Sequence, residues 1–479
     1  MLFNSHEFLF LFLPIACAGF FALAQRRLTQ GALAWLLCAS LVFYAYWDYR
    51  YLPVLLISIV INYALGTALR RRKSLTVLAA GVMLNLSALA YFKYAHFVLD
   101  NLATLVGTRV TMETPTLPLG ISFFTFTQLA WLVDAYRGEA RSTSLLHYSL
   151  FVTFFPHLIA GPILHHRNIL PQFHRLRMFV WSQKNVAHGL VWFSLGLFKK
   201  VVIADHLSSW VQPVFAQPQA ATFLDAWVGA LGYFLQLYFD FSGYSDMAIG
   251  LGYLFNVTLP ANFNSPYQAV SIIDFWRRWH MTLAWFLREY LYFPLGGNRR
   301  GYLRQVVNMF VTMVLCGLWH GAGWTFVLWG ALHGLYLIVN HGWRQLGLVL
   351  PTPFAWLLTF LSVLIGWVVF RAQTIGDALV LLRTMAGLDG IALPAKYQSL
   401  FPQLADWGAR FTNTVLMRSN LDHLAAIIVL LIAVLALPNT MELSRRFTPS
   451  WRWLAFAAFA AGSSIFLLRR GSEFLYFQF

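Results

Sequence analysis

Residues 271–300 read SIIDFWRRWHMTLAWFLREYLYFPLGGNRR, and the chain continues with GLWHGAG at 317–323 and WGALHG at 329–334. This stretch carries His280, His320 and His333, together with several arginines, between long apolar runs. Polar side chains are costly at membrane depth, so a cluster of them in an apolar chain indicates a functional site. The rest of the sequence decides whether the chain is indeed a membrane protein.

The composition is that of an integral membrane protein. Of the 479 residues, 59% are hydrophobic and only 11% are charged, whereas a soluble domain has about 25% charged residues. The net charge of +16 comes from short clusters between apolar runs, such as Arg70–Lys73, which is typical of cytoplasmic loops. The composition therefore predicts the lipid bilayer as a partner, and no nucleic acid. Three distant cysteines give neither a disulfide framework nor a metal site.

Hydrophobic run lengths predict an all-α polytopic membrane protein with about 11–13 hydrophobic helices, including re-entrant and interfacial elements. The run SLLHYSLFVTFFPHLIAGPIL at 144–164 is interrupted by Pro156 and Gly161 and is predicted to be re-entrant. The basic clusters place the N-terminus outside the cell. Inverted repeats are absent from the sequence pattern, which weakens a transporter hypothesis.

We predict one integral membrane domain over residues 1–479. It comprises N-terminal helices at 1–140, a catalytic core at 141–345 and C-terminal helices at 346–479. The last part contains a polar insert at 372–422, which we predict to lie outside the membrane.

The segment Asp274–Leu291 is predicted to form an amphipathic interfacial helix. Asp274 lies four residues before Arg278, so the two can form a salt bridge. His280 falls in the middle of the apolar face and is predicted to point into the protein. It is either a functional histidine or a core histidine held by a hydrogen bond.

His320 ends an apolar run and is followed by the small residues of Gly321–Gly323. Imidazole has an unperturbed pKa near 6.5, which suits a general base, so we predict that His320 is catalytic. Packing is the alternative, and Cys316, one turn earlier, would allow a Cys–His pair. His333 lies between Gly330 and Gly334, so it either lines the site or serves close helix packing.

Two further segments contain candidate binding residues. The glycine turn PLGGNRRG at 294–301 either binds phosphate or forms an ordinary basic cytoplasmic turn. Asp240 and Asp246 are six residues apart, so a straight helix places them on different faces. Both can face one cavity only if their helix breaks near Gly243.

Several segments together resemble the membrane-bound O-acyltransferase family, and in particular its bacterial polysaccharide branch, typified by the alginate O-acetyltransferase membrane subunit. They are FNSHEFLFLFLP, LPLGISFFTF, FFPHLIAGPI, QLYFDFSGYSDMAIGLG, NFNSPY, FWRRWH, LREYLYFPLGGNR, GLWHGA, WGALHG and the terminal FLYFQF. The resemblance implies a ring of helices around a thin centre. It also implies that His320 is catalytic and that His280 is the second signature polar residue.

The resemblance implies an O-acetyltransferase in the bacterial inner membrane, with acetyl-CoA as donor, no metal, and an exopolysaccharide of the alginate or cellulose type as acceptor. The expected partners are a periplasmic acetyltransferase subunit of the SGNH-hydrolase type and a polysaccharide synthase complex. A flippase without acyl transfer and a scaffold for a periplasmic enzyme are the alternatives. The predicted substrate-binding residues are Arg277, Asn298, Arg299, His333, Asp240 and Tyr244.

Overall fold

The structure is a computed structural model. It describes residues 1–107, 116–406, 408–412, 416, 420–468 and 475. The α-helices of the first half are α1 (Leu13–Gln25), α2 (Thr29–Ala45), α3 (Leu52–Arg71), α4 (Leu75–Leu89), α5 (Ala95–Val106), α6 (Ile121–Arg137), α7 (Leu145–Thr153), α8 (Phe155–Leu158), α9 (His166–Phe173), α10 (Gln183–Leu197), α11 (Asp205–Ala216) and α12 (Phe223–Leu254). The terminal FLYFQF segment, apart from Leu475, lies outside the described residues.

The α-helices of the second half are α13 (Ile272–Arg278), α14 (Met281–Leu287), α15 (Tyr302–His320), α16 (Trp324–Gln345), α17 (Thr352–Arg371), α18 (Ile375–Met385), α19 (Gln403–Asp406), α20 (Asn420–Ala436), α21 (Thr440–Arg445) and α22 (Trp451–Phe466). The π-helical segments are Phe8–Phe12, Ala90–Tyr94, Phe198–Ala204 and Arg288–Tyr292, and the 3₁₀ segments are Tyr49–Tyr51, Leu176–Phe179, Pro218–Ala220, Pro266–Gln268 and Ala395–Tyr397. Two short strands, β1 (Ala392–Pro394) and β2 (Arg410–Thr412), pair in parallel.

Among the described residues, six helical stretches are long and apolar enough to cross a membrane. They are Phe8–Gln25, Tyr49–Arg71, Leu75–Val106, Gln183–Ala216, Tyr302–His320 and Thr352–Arg371. The chain is therefore an all-α, multi-pass membrane protein, as the sequence predicts. The total of 11–13 hydrophobic elements includes shorter helices, so it stays a prediction.

Contacts between Cα atoms divide the chain into two units. Unit 1 comprises residues 1–198, 243–262 and 443–478, and unit 2 comprises 199–242 and 263–442. In unit 1, Phe8, Phe43 and Phe155 pack with ring centroids 5.6–6.1 Å apart. The buried amides of Asn62 and Asn85 hydrogen-bond at 2.7 Å and join α3 to α4. The prediction of one domain and its three parts stays a prediction.

Unit 2 contains the α15–α16 hairpin, in which the two helices are joined by Gly321–Gly323. Two glycines permit the close approach of these helices. A Cβ atom at Gly317 would overlap the carbonyl oxygen of Phe326, and one at Gly330 would overlap that of Met313. Small residues let membrane helices bring their backbones together. This contact holds the C-terminal end of α15 against α16.

Replacing Gly317 with alanine is expected to lower the free energy of unfolding by about 1–3 kcal/mol, because the backbones of α15 and α16 must move apart. The matched control is Gly342→Ala on α16, where a Cβ atom would meet only the Tyr302 hydroxyl at 3.6 Å. Unfolding in mixed detergent micelles measures both changes. Equal stability of the two variants would show that the hairpin does not depend on this contact.

Candidate active site

His320 is the last residue of α15, and it is 7% exposed. Its ring centroid lies 4.9 Å from that of Trp319, 5.2 Å from that of Trp329 and 5.4 Å from that of Phe370. The hairpin loop follows directly, and a Cβ atom at Gly321 would overlap the Phe326 ring. His320 is therefore a buried imidazole in an aromatic enclosure, next to a loop that needs glycine.

His280 lies at a break in the predicted amphipathic helix, and the prediction of one continuous helix over Asp274–Leu291 is wrong. α13 ends at Arg278, and His280 adopts the left-handed conformation with φ of +43° before α14 begins. This conformation costs roughly 1–2 kcal/mol for a residue with a side chain. The break turns both Trp279 and His280 inward, with exposures of 4% and 0%.

The burial of Trp279 supplies a physical reason for this break. Its ring packs at 5.0 Å from both Phe263 and Trp367, outside its own helix. His280 in turn packs edge-on against Phe241 at 4.7 Å. Strained residues of this kind cluster at functional sites, which supports a functional role for His280. The predicted Asp274–Arg278 salt bridge is confirmed at 2.9 Å.

His333 lies in the same aromatic enclosure as His320. It is fully buried, and its ring centroid lies 4.8 Å from Trp329 and 5.4 Å from Trp276. Its Nε2 atom faces Gly366, where a Cβ atom would come within 2.9 Å. Trp329 contacts both histidines, so the structure brings His320 and His333 to one place. Cys316 is also buried, on α15.

The predicted phosphate-binding residues lie elsewhere in unit 2. Asn298 and Arg299 are exposed in the glycine turn, which Asn308 holds through a hydrogen bond of 2.9 Å to the carbonyl oxygen of Gly297. α15 separates this turn from His320 by ~27 Å at 1.5 Å per residue. Arg277 is exposed and lines a groove of about 930 Å³ with Arg344. A molecule touching both Arg299 and His320 must therefore be long.

Asp240 and Tyr244 have structural partners that account for their burial. Lys200 donates to Asp240 at 2.7 Å, and its contact to Asp205 is also 2.7 Å. Tyr244 belongs to unit 1, where it stacks on Phe3 at 4.7 Å. α12 runs unbroken through Gly243, so the break that would turn Asp240 and Asp246 toward one cavity does not occur.

Asp134, His165 and His166 form a buried cluster in unit 1 that the sequence interpretation missed. Both histidine Nε2 atoms lie 2.8 Å from Asp134 Oδ2. The spacing would suit a metal ion. However, His165 Nδ1 accepts a hydrogen bond from the Arg167 amide, which leaves the proton on Nε2 as a donor to the carboxylate. The adjacent histidines were the only sequence signal for this cluster.

Comparison with known proteins identifies the family. Residues 41–372 match the profile described as "MBOAT, membrane-bound O-acyltransferase family". The chain belongs to this family. It is therefore an acyltransferase, and the matched region includes His280 and both histidines of the aromatic enclosure, His320 and His333.

Curated relatives extend over most of the chain. A peptidoglycan O-acetyltransferase of Helicobacter pylori is 43% identical over 427 residues, which cover 82% of this chain and 81% of the relative. A probable alginate O-acetylase AlgI of Pseudomonas aeruginosa is 44% identical over 390 residues, covering 78% and 73%. A teichoic acid D-alanyltransferase of Bacillus subtilis is 26% identical over 275 residues, covering 53% and 69%.

Proposed function

We propose that this membrane-bound O-acyltransferase takes acetyl from cytoplasmic acetyl-CoA and delivers it for O-acetylation of an exopolysaccharide outside the bacterial inner membrane. The observation that carries the proposal is the placement of His320, buried among aromatic rings at the end of α15 within the region that matches the family. The names of the relatives at 43–44% identity support acetyl as the group and a polysaccharide as the acceptor.

His320 acts as the general base in this proposal. It removes the proton of the acceptor hydroxyl while the hydroxyl oxygen attacks the thioester carbonyl carbon. The carbon–sulfur bond then breaks, sulfur leaves with the electron pair, and His320 returns the proton to sulfur. The products are an acetyl ester and free thiol, and His320 is regenerated.

The other predicted residues serve binding. His280 lies on the cytoplasmic side, where the donor binds, and His333 lines the enclosure of His320. The guanidinium groups of Arg277 and Arg299 attract the donor phosphates, and Asn298 lies beside them in the turn. The separation between the turn and His320 agrees with an elongated donor. A periplasmic subunit of the SGNH-hydrolase type, attached to a polysaccharide synthase complex, completes transfer to the polymer.

The proposal is tested with purified protein in liposomes that contain acetyl-labelled acetyl-CoA on one side. Appearance of label as an ester on the partner or on polymer at the other side is the expected result. A flippase would move solute without forming this ester, and a scaffold would form none without its enzyme. Failure of the reconstituted partner complex to transfer label would contradict the proposed function.

A further inference from the structure

Three side chains, one of which contacts His320, form a packed triangle that has no assigned role in the chemistry. Trp276 comes from α13, and Trp329 and His333 come from α16. The ring centroids lie 5.9 Å apart for Trp276–Trp329 and 4.8–5.4 Å apart for the pairs with His333. Trp276 is 9% exposed, and the other two are fully buried.

The polar atoms of this triangle are unsatisfied. Within the described part of the chain, neither indole Nε1–H has an acceptor, and both ring nitrogens of His333 lack a hydrogen-bond partner. Buried donors are nearly always paired in folded proteins, because an unpaired one loses its bond to water without replacement. His333 Nε2 lies against Gly366, so the two indole N–H groups and Nδ1 remain to be explained.

Three tryptophans elsewhere in the protein show one way in which this sequence satisfies an indole. Trp35 donates to Ala16 at 3.1 Å, Trp227 to Met385 at 2.9 Å and Trp356 to Tyr267 at 2.9 Å, each time to a backbone carbonyl oxygen. The Nε1 atoms of Trp131 and Trp367 also lack an acceptor among the described residues. Trp131 lies against the backbone of Gly66, and Trp367 stacks on Trp329 beside the triangle. The triangle differs because its unpaired groups come together, beside the predicted catalytic base.

We infer that the indole N–H groups of Trp276 and Trp329 bind the carbonyl oxygen of the acyl group during transfer. An oxygen has two lone pairs and accepts one hydrogen bond from each indole. The two ring centroids lie 5.9 Å apart with the rings inclined at 66°, and we place this oxygen between the two N–H groups. This inference rests on the proposed function and adds the groups that stabilise its transition state.

The reaction places the largest change in charge on this oxygen. When the acceptor hydroxyl attacks, the carbonyl π electrons move onto oxygen and give it a full negative charge. The electrons return when the carbon–sulfur bond breaks and sulfur leaves. Fixed donors in a water-excluded site stabilise such an oxyanion more than they stabilise the starting carbonyl. His333 is a positioning residue here, because it packs on both indoles.

The surrounding rings also limit the size of the acyl group. Trp367 stacks on Trp329 at 5.6 Å, and Phe370 packs edge-on against it at 5.2 Å. A methyl group beyond the carbonyl carbon requires little space, whereas a longer chain would have to displace these rings. The site is therefore expected to prefer acetyl over butyryl thioesters.

Replacing either Trp276 or Trp329 with phenylalanine tests the inference, because each change removes one N–H and keeps an aromatic ring. The expected result is a fall in kcat of about 10²–10³-fold with a KM within a few-fold of the parent, since the donors act mainly in the transition state. Trp356→Phe is the matched control, because its N–H already has a carbonyl partner, and it should keep the parental kcat.

Parental kcat in both tryptophan variants while the parent transfers acetyl would overturn the inference. A parent that transfers no acetyl would instead contradict the proposed function.

Discussion

Replacing His320 with alanine is expected to lower acetyl transfer by about 10²–10⁴-fold, which is the usual contribution of a positioned general base. The histidine is buried beside Trp329 and Phe370 at the end of α15, so no bulk water can take over the proton at that position. Transfer is measured as ester-linked label on the acceptor. Binding of donor analogues should persist, because proton removal follows binding.

The control for His320 is His341→Ala, on α16 of the same unit and half-buried. This change removes an imidazole from the same helical hairpin but not from the aromatic enclosure, so parental transfer is expected. Both variants must reach the membrane in equal amounts and elute as folded protein. A folded His320→Ala variant with parental transfer would remove His320 from the mechanism.

Replacing Lys200 with methionine is expected to lower the free energy of unfolding by about 3–5 kcal/mol, because it removes a cation that pairs with a buried carboxylate. Lys200 and Asp240 have side-chain exposures of 3% and 2%, and they pair at 2.7 Å. Asp205, the second carboxylate on Lys200, is 25% exposed and retains some contact with water. Unfolding by SDS in mixed micelles measures the loss.

Two further variants isolate the charge effect. Lys199→Met removes the neighbouring lysine, which is half-buried and hydrogen-bonds Thr440 at 2.7 Å, and is expected to cost about 1–2 kcal/mol. The double variant Lys200→Met/Asp240→Leu should regain most of the stability, because it removes both buried charges together. A Lys200→Met variant as stable as Lys199→Met would show that the ion pair contributes no special stability.

Lys200 itself illustrates what the sequence interpretation could not find. Its partners lie five and forty residues further along the chain, and only the first has a local cause. Lys200 belongs to a π-helical segment, in which hydrogen bonds join residues that are five apart. Asp205 is five residues after Lys200, so the two side chains lie on the same side of the helix. The pairing with Asp240 depends on how that segment packs against α12. The Asp134–His165–His166 cluster was missed for the same reason, because the two histidines lie 31 and 32 residues after Asp134.

Much of the fold could be predicted because it depends on local pattern. The interruption of the apolar run at 144–164 appears as the short helices α7 and α8. Continuous apolar composition specifies such helices without knowledge of their neighbours, and proline or glycine ends them. The segment around His280 was predicted incorrectly because its local pattern favours one helix, whereas the long-range packing of Trp279 breaks it.

The sequence by itself determined the membrane class, the all-α architecture and the family, and it predicted functional roles for His320 and His280. These properties reside in composition, in local periodicity and in motifs of a few neighbouring residues. Only the tertiary structure decided that Trp329 joins His320 to His333, that His280 sits at a helix break and that Asp240 pairs with Lys200. These contacts are set by the packing of helices distant in sequence, where burying large rings and pairing buried charges outweigh local preference.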